Sequence, residues 1–112
     1  MTKGTIVLIP FPFTDLTGQK VRPAIVLRDF TKSEDCIVAF VSSVKSSVKP
    51  KKLEPFDIYV QSSPENGLKI NSVIKIGKLA TLQKKIILGE LGMLEAHYLK
   101  KVTEKLGVLF GV

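Results

Sequence analysis

Gly4-Thr5-Ile6-Val7-Leu8-Ile9, a connection from Pro10 to Val21, then Arg22-Pro23-Ala24-Ile25-Val26-Leu27: this opening stretch decides the fold. Two apolar, β-branched runs flank a segment carrying Thr14, Asp15, Thr17, Gly18, Gln19 and Lys20, the pattern of a hairpin with a long connection. That connection is about a dozen residues, and loops of such length in small domains more often carry function than merely join strands. Arg22 stands where the chain re-enters the sheet. Pro23 has no N–H, fixes its own φ and pushes the preceding residue towards extended backbone, so the guanidinium should leave the rim from a defined point. A solvated arginine at a strand start would carry the same letters, so this stretch alone leaves both readings open.

Further along, Cys36 to Val44 is apolar on both faces until Ser42, which suits a central strand of a barrel or small curled sheet. Ser42 and Ser43 either close a rim site facing Arg22 or start the turn into the Ser/Lys/Pro segment 45–52, which reads as loop. Phe56 to Gln61 alternates with period two, so Phe56, Ile58 and Val60 should point inward and Asp57 and Tyr59 outward. Ser63 to Gly67 reads as a turn with Gly67 available for positive φ. Asn71 to Leu82 is extended, and Gly77 interrupts its alternation as a bulge or a close backbone approach would. A helical turn over Gln83 to Leu88 and a short strand or loop over Gly89 to Gly92 follow. From Leu94 to Leu109 the spacing of Leu94, Tyr98, Leu99, Val102, Leu106 and Leu109 changes to three and four, the period of an amphipathic helix, with Glu95 at its positive end. Val108, Phe110 and Val112 form an apolar tail that either folds back or meets a second subunit.

At 112 residues with 45% hydrophobic side chains, the chain suits a single domain over 1–112 with its own core. Cys36 is the only cysteine, so no internal disulfide forms, and the thiol reads as a small buried hydrophobe in a reducing compartment. The N-terminal residues lack the pattern of a secretory signal, and no apolar run approaches the roughly 20 residues of a membrane span. A cytoplasmic protein is expected. The net charge is +7, and the stretch from Lys45 to Lys85 holds nine lysines against Glu54, Asp57 and Glu65. Such clustering attracts polyanions, nucleic acid first among them, while an anionic protein segment or a solubility device remains the alternative.

Exclusions narrow the chemistry. One histidine and one cysteine cannot supply a zinc site of the usual ligand count, and the ten carboxylates show no di-metal spacing. Acid/base cleavage by two histidines is ruled out. His97, next to the charged face of its helix, reads as solvated and ill-placed to serve a serine nucleophile. Arginine and hydroxyls remain for phosphate chemistry. They suffice for RNA, whose 2′-OH is an internal nucleophile that needs only alignment and stabilisation of the charge developing on phosphate.

Gly4, Pro12-Phe13-Thr14-Asp15, Gly18 and Arg22-Pro23-Ala24-Ile25-Val26-Leu27 resemble the opening signature of the MazF/PemK-like toxins. Ser72-Val73-Ile74, Leu79-Ala80-Thr81-Leu82, Lys84-Lys85 and Leu91-Gly92-Met93-Leu94 match in the same order, so the resemblance covers nearly the whole chain. It implies a mainly β fold with α, an SH3-like small β-barrel of the MazF/PemK/CcdB type closed by a C-terminal helix. It implies the toxin of a type II toxin–antitoxin system, a metal-independent endoribonuclease needing no cofactor. The family's arginine before the second-strand proline and its Ser/Thr ending the third strand match Arg22 and Ser42. An arginine is awkward as a literal base, so the electrostatic role is preferred. Thr14, Asp15, Gln19 and Lys20 of the first loop, Ser43, and Lys49, Lys51 and Lys52 are then expected to hold substrate. The implied partners are single-stranded RNA, a cognate antitoxin and a second copy in a homodimer, with no membrane. Thr5, Ser42, Lys78 and Gln83 replace residues frequent in relatives, which leaves the RNA sequence preference open. Two rivals share the fold: a non-catalytic nucleic-acid-binding barrel, and a toxin directed at a protein such as gyrase, against which Arg22-Pro23 speaks.

Overall fold

The computed structural model describes residues 1–10, 20–44 and 53–112. Among them the order is β1 (Thr5–Pro10), β2 (Val21–Asp29), β3 (Asp35–Ser43), β4 (Asp57–Val60), β5 (Ser72–Gln83), a 3₁₀ turn (Lys84–Ile86), β6 (Gly89–Met93) and α1 (Ala96–Phe110). The strands join one antiparallel sheet in the order β4-β5-β3-β2-β1-β6. The expected hairpin is present: Ile6 pairs with Ile25, and Ile9 with Arg22.

Successive strand residues point to opposite sheet faces, and here both faces are covered. One face carries Ile6, Ile25, Ala39, Val41, Ile58 and Ile74 and packs against Tyr98 and Val102 of α1. The other carries Val7, Ile9, Ala24, Val26, Cys36 and Val38, with Leu82 and Ile87 over them. Burial on both sides explains why β3 shows no alternation until its last residues.

The sheet curls into a half-barrel, and its bulges and turns show how. The β3–β5 register passes from Ala39↔Leu79 to Phe40↔Lys75, which leaves Ile76, Gly77 and Lys78 outside the ladder, the bulge foreseen at Gly77. Curling brings the turn after β4 against the opposite edge strand: Met93 N–H donates to Glu65 O at 2.9 Å. Gly67 sits at φ 72°, and a Cβ there would lie 2.1 Å from Leu91 O. Only glycine fits.

Two side chains depart from expectation. Asp57 is buried rather than outward, because its carboxylate accepts from Glu54 N–H at 3.0 Å and pairs with Lys75 Nζ at 2.9 Å. Glu95 occupies the N-cap of α1 without capping it. Its carboxylate instead accepts from Ser63 Oγ at 3.1 Å and Asn66 Nδ2 at 3.0 Å, tying the helix start to the 63–67 turn. At the other end Leu109 packs on the core, while Val108, Phe110 and Val112 stay exposed.

Candidate active site

Arg22 is the second residue of β2, held extended by Pro23 and paired to Ile9 of β1. The β2–β3 register runs Ala24↔Phe40 and Ile25↔Ala39. The ladder stops at Ala24↔Phe40, and continuing the two strands by two residues brings Arg22 beside Ser42, on the face that also bears Phe40. Both side chains are half-buried. They line one groove of about 710 Å³, whose other walls are Phe40, Val41, Lys75, Gly77, Lys78, Leu79, Ala80 and Leu82. Its charged residues, among those described, are all cations.

The groove combines four chemical features. The guanidinium offers a planar fork to phosphate oxygens, and the Ser42 hydroxyl can donate to a developing oxyanion. Phe40 offers an aromatic wall of the kind on which bases stack. Arg22, Lys75 and Lys78 set a positive field that draws a polyanion along the floor.

Other expected residues are placed elsewhere or not at all. Thr14, Asp15, Gln19, Lys49, Lys51 and Lys52 lie outside the described residues. Lys20 is exposed just before β2 and does not line the groove. Ser43, one step past Ser42, turns to the opposite face and lines a separate apolar pocket of about 290 Å³ with Leu8, Val21 and Pro23. His97 is exposed on α1, its ring centroid 4.1 Å from that of Tyr98, and lines another groove with Leu53, Tyr59 and Lys101. Cys36 is buried, and burial pushes its thiol pKa up, away from nucleophilic character. Phe40, Lys75 and Lys78 are groove residues that sequence reasoning missed, Lys75 the more buried of the two lysines. The signal of Lys75 was faint: a lysine in an apolar strand, two residues before a bulge glycine.

A family model for the PemK-like, MazF-like toxins of type II toxin–antitoxin systems matches residues 2–110. The chain belongs to this toxin family. Among curated proteins none matches the sequence. Solved MazF structures share its fold. A MazF from Deinococcus radiodurans is 22% identical, with a TM-score of 0.73 over 98% of this chain and 96% of that one. The MazE-MazF complex of that organism gives 23% identity and a TM-score of 0.72, over 98% and 95%. A mycobacterial endoribonuclease solved with its cognate antitoxin gives 11% identity and a TM-score of 0.74, over 98% and 94%. At such identities the likeness establishes the half-barrel with its C-terminal helix and no more. Within this MazF-like frame, Arg22 of β2 and Ser42 of β3 both line a single groove. No helix among the described residues is long and apolar enough to cross a membrane.

Proposed function

We propose that this MazF-like toxin is an endoribonuclease that cleaves single-stranded RNA by attack of the substrate's own 2′-OH. The carrying observation is that Arg22 and Ser42 line one groove whose charged residues, among those described, are all cations. Arg22 takes two oxygens of the scissile phosphate and stabilises the charge that develops there. Ser42 donates a further hydrogen bond. The 2′-OH gives up its proton to solvent as its oxygen bonds to phosphorus, the bond to the 5′-oxygen of the next nucleotide breaks, that oxygen takes up a proton from solvent, and a 2′,3′-cyclic phosphate remains. Among the described residues the groove offers arginine, lysine and serine, poor ligands for Mg²⁺, so the step as proposed draws on no metal.

The family name and the solved relatives with antitoxin support a partner: an acidic antitoxin segment laid along the same cationic groove, displacing RNA. They also support a homodimer, in which the exposed Phe110 and Val112 meet a second copy. An RNA substrate and an unpaired Cys36 thiol fit a cytoplasmic activity of the single domain 1–112.

The test is incubation of purified protein with single-stranded RNA in EDTA, with Arg22→Ala alongside and circular dichroism to establish folding. Cleavage by the wild type and none by the folded variant is expected. Binding without cleavage by the wild type would favour a non-catalytic barrel, and activity retained in Arg22→Ala would move the active site elsewhere.

A further inference from the structure

Lys75 Nζ lies 2.9 Å from Asp57 Oδ2, and the Asp57 side chain is 6% exposed against 26% for Lys75. The carboxylate also accepts from Glu54 N–H at 3.0 Å, so it is held from behind by the β4 entry while the ammonium faces outward. An ammonium has three donors, and Asp57 takes one. Lys75 therefore stands at a fixed point with donors to spare.

It also stands on a boundary. Lys75, Gly77 and Lys78 line both the Arg22–Ser42 groove and a neighbouring hollow of about 220 Å³ bounded by Glu54, Pro55 and Phe56. The bulge that drops Ile76–Lys78 from the ladder lies at this shared border, with Gly77 and Lys78 both exposed. Lys75 is therefore common to the Arg22–Ser42 groove and the second hollow. With strands about 4.8 Å apart and a rise of about 3.3 Å per residue, Arg22 on β2 and Lys75 on β5 are about 12 Å apart at Cα. The Asp57 contact draws the ammonium towards β4, on the side of β5 away from β2, so it suits a neighbouring phosphate rather than the one at Arg22.

Resting on the ribonuclease reading above, we propose that Lys75, positioned by Asp57, and Lys78 bind a second backbone phosphate of the RNA, flanking the one held between Arg22 and Ser42. The subsite sets the register of the strand rather than the chemistry.

The test uses a fully 2′-O-methylated RNA oligonucleotide, which binds without being cut, with fluorescence anisotropy over a salt series. The paired variant Lys75→Gln with Asp57→Asn removes the cation without stranding a buried carboxylate. It should weaken binding about tenfold and lower the log–log salt slope by about 0.7, the value for one lost contact on a single strand. Lys75→Arg should keep the slope. Replacing phosphates one at a time with neutral methylphosphonates should weaken wild-type binding at one flanking linkage and have a clearly smaller effect there in the paired variant, which keeps only Lys78. An unchanged slope, or the same linkage sensitivity in both proteins, overturns the subsite. So does a loss confined to binding of an acidic peptide, which would assign Lys75 to the antitoxin instead. If the wild type binds as expected yet cuts no RNA, the ribonuclease reading fails while the subsite stands.

Discussion

Arg22 and Ser42 are asked to do different things, and conservative replacements separate them. Lysine supplies charge at Arg22 but no planar fork, so Arg22→Lys should lose activity on the order of 10²-fold in kcat, near the cost of removing one oxyanion donor. Ser42→Ala should cost a similar factor and Ser42→Thr much less, since threonine keeps the hydroxyl. His97→Ala should leave the rate unchanged, because His97 lines a groove with Leu53 and Lys101, on other elements than β2 and β3. Single-turnover rates on one RNA decide all four. Asp29 carries a separate, pH-linked load. Its hydrogen bond from Lys84, and then that from the N-terminal amine, hold its carboxyl below the usual carboxylate range. A folded pKa below the unfolded one means stability that is present above about pH 4 and fades as pH falls through the folded value. Asp29→Asn should therefore lower the urea midpoint at pH 7 and leave it nearly unchanged at pH 2. Arg22 was legible in the sequence because Pro23 marks its backbone. Asp57 was not: strand alternation placed it outward, and only the return of the Glu54 N–H and the reach of Lys75 across β4–β5 turned it into a buried group.

The turn between β4 and β5 holds the half-barrel shut. Asn66 is fully buried, and its amide accepts from Ser63 N–H and Leu68 N–H and donates to Gln61 O and Glu95 Oε1. Removing it strands several of these groups at about 1–3 kcal/mol each, so Asn66→Ala should destabilise by about 3 kcal/mol or more. Gly92 faces the same turn, with Glu65 O 2.4 Å from where a Cβ would stand. Gly92→Ala should cost at least about 2 kcal/mol, since backbone and not a flexible side chain must move. Denaturant melts measure both; a loss under 1 kcal/mol would show that the turn and β6 can part freely. The elements themselves were legible where period or punctuation was strong: the helix from its three- and four-residue spacing, the β5 bulge from Gly77, the turn from Gly67. The docking of turn on β6 was not, because the contact joins residues nearly 30 positions apart, Glu65 to Met93, and no local pattern encodes it.

Across the whole molecule, the lysine excess between Lys45 and Lys85 is divided by the fold. Lys75 and Lys78 reach the groove, Lys84 serves Asp29, and Lys69 lines the apolar pocket with Ser43. Charge in the sequence thus pointed to a polyanion without showing which of its lysines line the groove. Phe110 and Val112 remain exposed at the end of α1, and a dimer mass by light scattering at tens of micromolar is expected; a monomer would refute the pairing. The mechanism rests on the substrate supplying its own nucleophile. The most direct measurement takes an RNA oligonucleotide with its cleavage site mapped and replaces the single ribose 5′ to the scissile phosphate by 2′-deoxyribose. Cleavage at that linkage should disappear in EDTA, with binding retained and the unmodified strand still yielding a 2′,3′-cyclic phosphate end. Continued cutting at the deoxy position would mean that water or a protein group attacks phosphorus, and would contradict the account.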